Sequence, residues 1–259
     1  MRSGTTAPTR EVWVIATLTR PKQKTHIRRQ FDRQTWQRRR LVIVARTDVP
    51  TPCIPACDTV LFDSGAKRQG GARNVGMDWA LDNHGPEAIV SFWDDDDFYG
   101  PRYLEEQMAH VEHGVIVGKT FGFTRFDRGI VYFPAQRNFF TRTMLIGGTI
   151  GGYLGDMPFW TDGAVGEDTE FSAHCRRLGK KTYVTSGMNW LYDRSGPYGS
   201  HAFRAGEQRI WMIAGGKAMP CGDSADVVCA DMEPLGPAVR HKEWANGTEL
   251  KRHRVPPQA

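Results

Sequence analysis

Short apolar runs rich in β-branched residues recur along the chain, each followed by a longer amphipathic or polar stretch. Val12 to Thr17 is the first such run and reads as a buried strand. Pro21 follows, then a basic amphipathic segment from Lys22 to Gln37 with Ile27, Phe31 and Gln34 or Trp36 on one helical face. Leu41 to Ala45 is a second buried strand and Thr59 to Phe62 a third. Strand, helix and strand in this order imply a parallel pair joined by a right-handed crossover.

Further on, Gly70, Gly71 and Gly76 bracket a loop leading into a helix over Ala72 to Asn83. Ala88 to Trp93 reads as a strand that runs directly into four aspartates. Pro101 opens a helix over Arg102 to His113, since proline is tolerated in a first turn. Val115 to Gly118 and Gly129 to Phe133 read as strands, and Phe139 to Gly166 as Gly-rich loops. A helix is expected over Glu167 to Leu178 and a strand over Lys181 to Thr185. The fold class is therefore α/β, with a mainly parallel central sheet flanked by helices. Three divisions are expected: a flexible start over 1–10, one folded domain over 11–219, and a polar tail over 220–259 that wraps the domain or stays partly disordered. There are no internal repeats.

Composition changes this picture in three ways. With 259 residues, about 40% of them hydrophobic, the chain is long enough for one large core. No apolar run approaches a membrane span, and the polar start lacks the apolar centre of a secretory signal, so the expected location is cytoplasmic. Five cysteines, Cys53, Cys57, Cys175, Cys221 and Cys229, are odd in number and match no zinc-binding spacing, which favours reduced thiols. The net charge of +5 is concentrated at Lys22, Lys24, Arg28, Arg29, Arg33 and Arg38 to Arg40, and again at Lys251 to Arg254. Such clusters are either solvated faces or contacts for an anionic partner.

Four motifs carry candidate chemistry. Asp94-Asp95-Asp96-Asp97 follows an apolar strand and precedes Phe98, Tyr99 and Pro101. Adjacent carboxylates repel one another without a cation, and oxygen-only ligands suit Mg²⁺ or Mn²⁺. Gly166-Glu167-Asp168 opens a helix, where a carboxylate serves as a cap or as a general base facing the acidic cluster. Gly70-Gly71-Ala72-Arg73-Asn74-Val75-Gly76 allows close backbone approach, with Arg73 able to pair with a phosphate or brace an aspartate. Tyr192-Asp193-Arg194 precedes Ser200-His201, where His201 is a structural histidine, a phosphate contact or a metal ligand.

In this order the four motifs resemble the family 2 glycosyltransferases and related GT-A enzymes, over Val12 to His201. The segment from Val14 to Pro21 is similar to the family's opening strand and donor loop, and Arg73-Asn74-Val75-Gly76 to its Arg-Asn-x-Gly element. Asp94-Asp95-Asp96 is similar to its DXD element, and Glu167-Asp168 to its Glu-Asp element. The resemblance implies a GT-A, Rossmann-like fold and transfer of a sugar from a nucleotide-diphosphate donor to an acceptor hydroxyl, with inversion. It implies Asp168 as the base, and donor contacts from Thr17, Thr19, Arg20, Arg73, Asn74, Asp94 and Asp95. It further implies a Mn²⁺ or Mg²⁺ ion on Asp94, Asp96 and His201, with Glu167, Asp97, Trp160 and Arg194 at the acceptor or in support. The chain departs from the family after the second strand. Ala45 and Arg46 stand where an acidic pair usually meets the nucleotide base, which implies either a donor other than a uridine diphosphate sugar or Asp48 or Asp63 as substitutes. The acceptor is expected to be a glycan or a polyanion, including DNA carrying hydroxymethylated bases. A metal-dependent nucleotidyltransferase or nuclease is the alternative that also uses clustered carboxylates.

Overall fold

The computed structural model describes residues 10–19, 24–46, 56–63, 69–120, 122–126, 129–133, 145–161, 166–186, 189–193 and 219–220. Seven strands form the central sheet: β1 (Val12–Leu18), β2 (Arg39–Arg46), β3 (Thr59–Asp63), β4 (Ile89–Asp94), β6 (Val115–Gly118), β9 (Gly151–Tyr153) and β10 (Lys181–Val184). Their order is β10-β6-β9-β4-β1-β2-β3. All neighbours are parallel except β9, which lies antiparallel between β4 and β6. A smaller sheet of β5 (Phe98–Tyr99), β7 (Gly122–Phe126), β8 (Gly129–Phe133), β11 (Trp190–Asp193) and β12 (Met219–Pro220) is ordered β12-β8-β7-β11-β5.

Alternation along the central strands divides the core between two faces. Val12, Val14, Ala16 and Leu18 of β1 pack with Ile27 and Phe31 of α1 (Lys24–Asp32) and with Leu104 and Met108 of α3 (Tyr103–Met108). Ile15 of β1 and Val42 and Val44 of β2 face the other way, toward Met77 and Ala80 of α2 (Gln69–His84) and Phe171 and Cys175 of α4 (Glu167–Arg177). After β1 the chain builds outward through β2 and β3, then returns to the opposite side of β1 for β4. The strand order thus reverses between β1 and β4, and in such sheets a crevice opens beyond the carboxyl ends of those two strands. Thr17 and Asp94 are register partners at that point.

Several expected boundaries move, each for a tertiary reason. The first helix ends at Asp32 rather than Gln37. There the Arg39 guanidinium donates to the carbonyls of Phe31, Asp32 and Trp36, closing the helix end. Helix α3 spans Tyr103–Met108 rather than 102–113. Gly70 and Gly71 lie inside α2 rather than in a loop before it. The role of Gly70 is packing: a Cβ there would come to 2.2 Å from the Thr161 carbonyl oxygen. The expected loop over 139–166 contains β9, whose glycines hide it from any periodicity; a Cβ at Gly151 would meet the Gln107 amide at 2.5 Å. Strands β5, β7, β11 and β12 were not expected. Residues 1–9 and 221–259, with Cys221, Cys229 and the basic Lys251 to Arg254, lie outside the described residues, as does Cys53. Cys57 and Cys175 are free thiols. No described helix is long and apolar enough to cross a membrane.

Gly76 shows how closely α2 seats on the sheet. A Cβ there would fall 2.4 Å from Ile15 Cγ2 and 3.3 Å from Val44 Cγ2. Alanine normally stabilises a helix interior by about 1 kcal/mol over glycine, but overpacking costs about 1–3 kcal/mol. Gly76→Ala is therefore expected to lower the melting temperature by a few degrees, and Gly76→Val by more. An unchanged or raised melting temperature by calorimetry would count against this close seating.

Candidate functional site

The site is built where β1, β4, α2 and α4 converge. Each of the four aspartates has its own environment. Asp94 closes β4, and its Oδ1 accepts from Gln69 Nε2 and from Arg73, both at 2.7 Å. Asp95 is 2% exposed and its Oδ2 accepts from the backbone N–H (2.7 Å) and hydroxyl (2.9 Å) of Thr19, tying the end of β1 to the turn. Asp97 is fully buried. Its Oδ2 accepts from the Trp190 indole at 3.2 Å and its Oδ1 from the Asp193 backbone N–H at 3.4 Å, pinning the smaller sheet to the turn. His26 of α1 donates from Nε2 to the Asp97 carbonyl at 2.6 Å. Burial lowers the His26 pKa against the pull of that carbonyl and of Asp193 and Asp96. Asp96 is partly exposed. Two carboxylates of the run thus lock the turn from inside, which is why four adjacent acids are tolerated.

The first turns of α2 face this cluster. Gln69 Nε2 bridges Asp94 and the Thr17 hydroxyl, the latter at 2.7 Å. Arg73 is 1% exposed and its guanidinium lies 4.4 Å from the centre of the Trp160 ring. Asn74 and Trp160 exchange two hydrogen bonds of 2.8 Å, side chain to backbone. Trp160 itself is buried and stacks on Phe171 of α4 at 4.1 Å. Thr17, Arg73, Asn74 and Asp95 therefore have internal partners here, and Trp160 turns its ring to the core. Gly147 and Gly148 form the wall opposite. A Cβ at Gly147 would sit 2.6 Å from an Arg73 nitrogen, and one at Gly148 2.7 Å from the Asp94 carboxyl carbon. Tyr99 fixes that wall by donating to the Gly148 carbonyl at 2.8 Å, while its hydroxyl oxygen receives the Asp94 backbone N–H. Gln69, Tyr99 and the two glycines belong to the site but were missed in the sequence. Only the Gly-Gly pair gave any local signal.

On the far side, Gly166 adopts a left-handed φ of 83° and starts α4. Glu167 Oε1 stands 3.6 Å from Arg73. Asp168 Oδ1 accepts the Thr169 backbone N–H at 2.8 Å. Burial pushes the Asp168 carboxyl up to about 6 and the Glu167 charge adds to this, while Arg73 and backbone amides oppose it. A carboxyl so poised takes a proton near neutral pH.

Asp94 and Asp96 would be the carboxylates to meet a cation, since Asp95 and Asp97 are locked into the turn. Asp94 Oδ1 is already occupied, and no group of three possible ligands exists among the described residues. This donor set fits a hard divalent cation that completes its shell with water and phosphate oxygens. Arg20, Asp48, Arg194 and His201 lie outside the described residues. Part of the early basic stretch is engaged within the protein. Arg28 pairs with Asp32 at 2.6 Å, Arg39 caps α1, and Arg40 pairs with Glu11 and Asp58.

The chain matches no protein-family model and no curated protein sequence. In fold it is similar to a mannosyltransferase, PcManGT from Pyrobaculum calidifontis, solved with GDP-Man and Mn²⁺. The TM-score is 0.51 at 11% identity, over 72% of this chain and 57% of that one. It is also similar to residues 1–349 of S. aureus TarS solved with UDP-GlcNAc, with a TM-score of 0.52 at 16% identity, over 78% of this chain and 64% of that one. The chain thus spans less than two thirds of either neighbour, and the shared part is the GT-A-like fold.

Proposed function

We propose, from a GT-A-like fold whose crevice carries an acidic strand end opposite a raised-pKa carboxylate, that this protein is a nucleotide-sugar glycosyltransferase. Its transferase domain is taken as residues 11–219. The observation that carries the reading is the placement of Asp94 and of Glu167-Asp168 around one buried arginine, Arg73, beyond the carboxyl ends of β1 and β4. The nucleotide sugars held by both structural neighbours, one of them with Mn²⁺, support it.

In the proposed reaction an acceptor hydroxyl oxygen attacks the anomeric carbon of the donor sugar. The bond from that carbon to the diphosphate oxygen breaks, its electron pair leaves with the diphosphate, and Asp168 Oδ takes the acceptor proton. Attack from the face opposite the leaving group inverts the anomeric centre. Charge separation of this kind carries oxocarbenium character. A divalent cation on Asp96, with Asp94, would supply positive charge beside the departing diphosphate. Asp95 and Asp97 keep the turn rigid, so that Asp96 is presented at a constant position relative to β4.

The acceptor is proposed to be a hydroxyl on a glycan or on a modified polyanion such as hydroxymethylated DNA. Of these the glycan is taken as the first acceptor to test, since Arg28, Arg39 and Arg40, which would contact a polyanion, already pair within the chain. The test is incubation with Mn²⁺ and a panel of GDP-, UDP-, dTDP- and ADP-sugars, followed by quantifying nucleoside diphosphate and glycosylated acceptor. Release of nucleoside diphosphate coupled to sugar transfer is expected. Transfer of the nucleotidyl group with release of sugar 1-phosphate, or cleavage of nucleic acid, would replace this reading by the nucleotidyltransferase or nuclease alternative.

A further inference from the structure

We propose that Arg73 is a positioning residue that holds the acidic end of β4 and the start of α4 at a fixed separation across the reaction centre. The inference rests on the glycosyltransferase reading above, and adds to it the element that joins its two halves.

The geometry is that of a slot. Trp160 forms one wall, held by the reciprocal Asn74 hydrogen bonds and by Phe171 behind it. The Gly147 backbone forms the other wall, and any Cβ there would strike the guanidinium. Inside the slot only one nitrogen finds a hydrogen bond, to Asp94 Oδ1 at 2.7 Å. Nε and the nitrogen nearer α4 have no hydrogen-bond partner among the described residues. A buried donor left unsatisfied is costly, so this conformation is held by the walls and by charge. The nitrogen nearer α4 stands 3.6 Å from Glu167 Oε1, an ion-pair distance too long for a hydrogen bond. One cation thus faces carboxylates from two elements that share no direct pairing in the sheet. Lysine, a point charge on a flexible stem, cannot reproduce a planar fork of this kind.

The consequence is mechanical. Asp168 is carried by the same first turn as Glu167, so its distance from the leaving-group side depends on the Arg73–Glu167 link. Misplacement by about 1 Å is enough to cost up to about 10²-fold in rate. The variants are Arg73→Lys, Glu167→Gln and their combination. Glu167 is partly exposed at a helix start, so Glu167→Gln should fold even if Arg73→Lys is strongly destabilised.

Each single variant is expected to lose about tenfold or more in kcat with donor KM within about threefold. The double variant should lose no more than the worse single, because both substitutions cut the same link. Wild-type kcat in Glu167→Gln, or losses that multiply, would overturn the proposal. Hydrogen exchange supplies the arm independent of sugar transfer. Amides over 94–97 and 166–170 should both exchange faster in Arg73→Lys, and loosening of only one segment would also overturn it. If the wild-type protein transfers no sugar, the functional reading fails, while the exchange arm still decides whether Arg73 couples the two segments.

Discussion

Replacing Asp168 with asparagine is expected to lower turnover by about 10² to 10⁴, the usual range for general base catalysis, with donor affinity nearly unchanged and the fold at least as stable. Asparagine keeps the shape and the oxygen that accepts the Thr169 N–H, but takes no proton at neutral pH. The stability arm follows from linkage. Burial first, and Glu167 second, raise the Asp168 pKa to about 6 from a usual value of 3.8. A carboxyl raised in this way binds its proton more tightly in the folded state than in the unfolded one. Its charge costs nothing below the usual value, costs more as pH rises through the window up to about 6, and costs its full amount above that. Asp168→Asn should therefore gain melting temperature at pH 8 but not at pH 4. For the wild type, the rate should fall on the acid side as Asp168 protonates below about pH 6.

The measurements are a pH–rate profile, donor affinity, and melting temperature at two pH values. Near-normal turnover in Asp168→Asn would exclude the base role. A loss of donor affinity equal to the loss of rate would instead assign Asp168 to the donor site. Retained anomeric configuration in the product would be incompatible with a single displacement driven by this base.

The second large effect separates Asp96 from its neighbours. Asp96→Ala is expected to lower Mn²⁺-dependent transfer by about 10²- to 10³-fold, since several kcal/mol of charge stabilisation are lost, at a smaller cost in melting temperature than Asp94→Ala. Asp94→Ala should behave differently. Arg73 would keep its buried charge without its hydrogen-bonded partner, and breaking a buried pair in this way costs about 3–5 kcal/mol. The Asp94 variant is thus expected to lose stability as well as activity. Melting curves, chelator titration and Mn²⁺ binding by paramagnetic resonance distinguish the two. Full transfer in excess chelator would dismiss the metal role, and an Asp94→Ala protein as stable as the wild type would contradict the pairing with Arg73.

The elements legible in the sequence are those whose signal is local. Val12–Leu18, Arg39–Arg46, Ile89–Asp94 and Val115–Gly118 are runs of β-branched and aromatic residues in the buried sheet, so they stand out within a residue or two of their true bounds. Glu167–Arg177 was legible from its glycine start and acidic first turn. The junction of apolar strand and acidic run at Asp94 was equally visible, because carboxylates crowded at the end of a buried strand repel one another unless a cation or internal donors hold them.

What the tertiary structure decided is how identical residues divide their work. Nothing in four consecutive aspartates distinguishes Asp95, which secures Thr19, or Asp97, which secures Trp190, from Asp94 and Asp96. Their partners lie more than seventy residues away in the chain. The same holds for the glycines. Gly70, Gly76, Gly147 and Gly151 looked like loop signals, yet each stands where a neighbouring backbone, methyl, guanidinium or amide leaves no room for a Cβ. Strand β9, with two glycines among its three residues, has no side-chain period to read, and it forms only because β4 and β6 offer it hydrogen bonds on both edges. Side-chain period is a property of neighbours along the chain. The division of the aspartates and the slot around Arg73 depend on contacts between distant segments, which exist only once β1 and β4 have brought their carboxyl ends together.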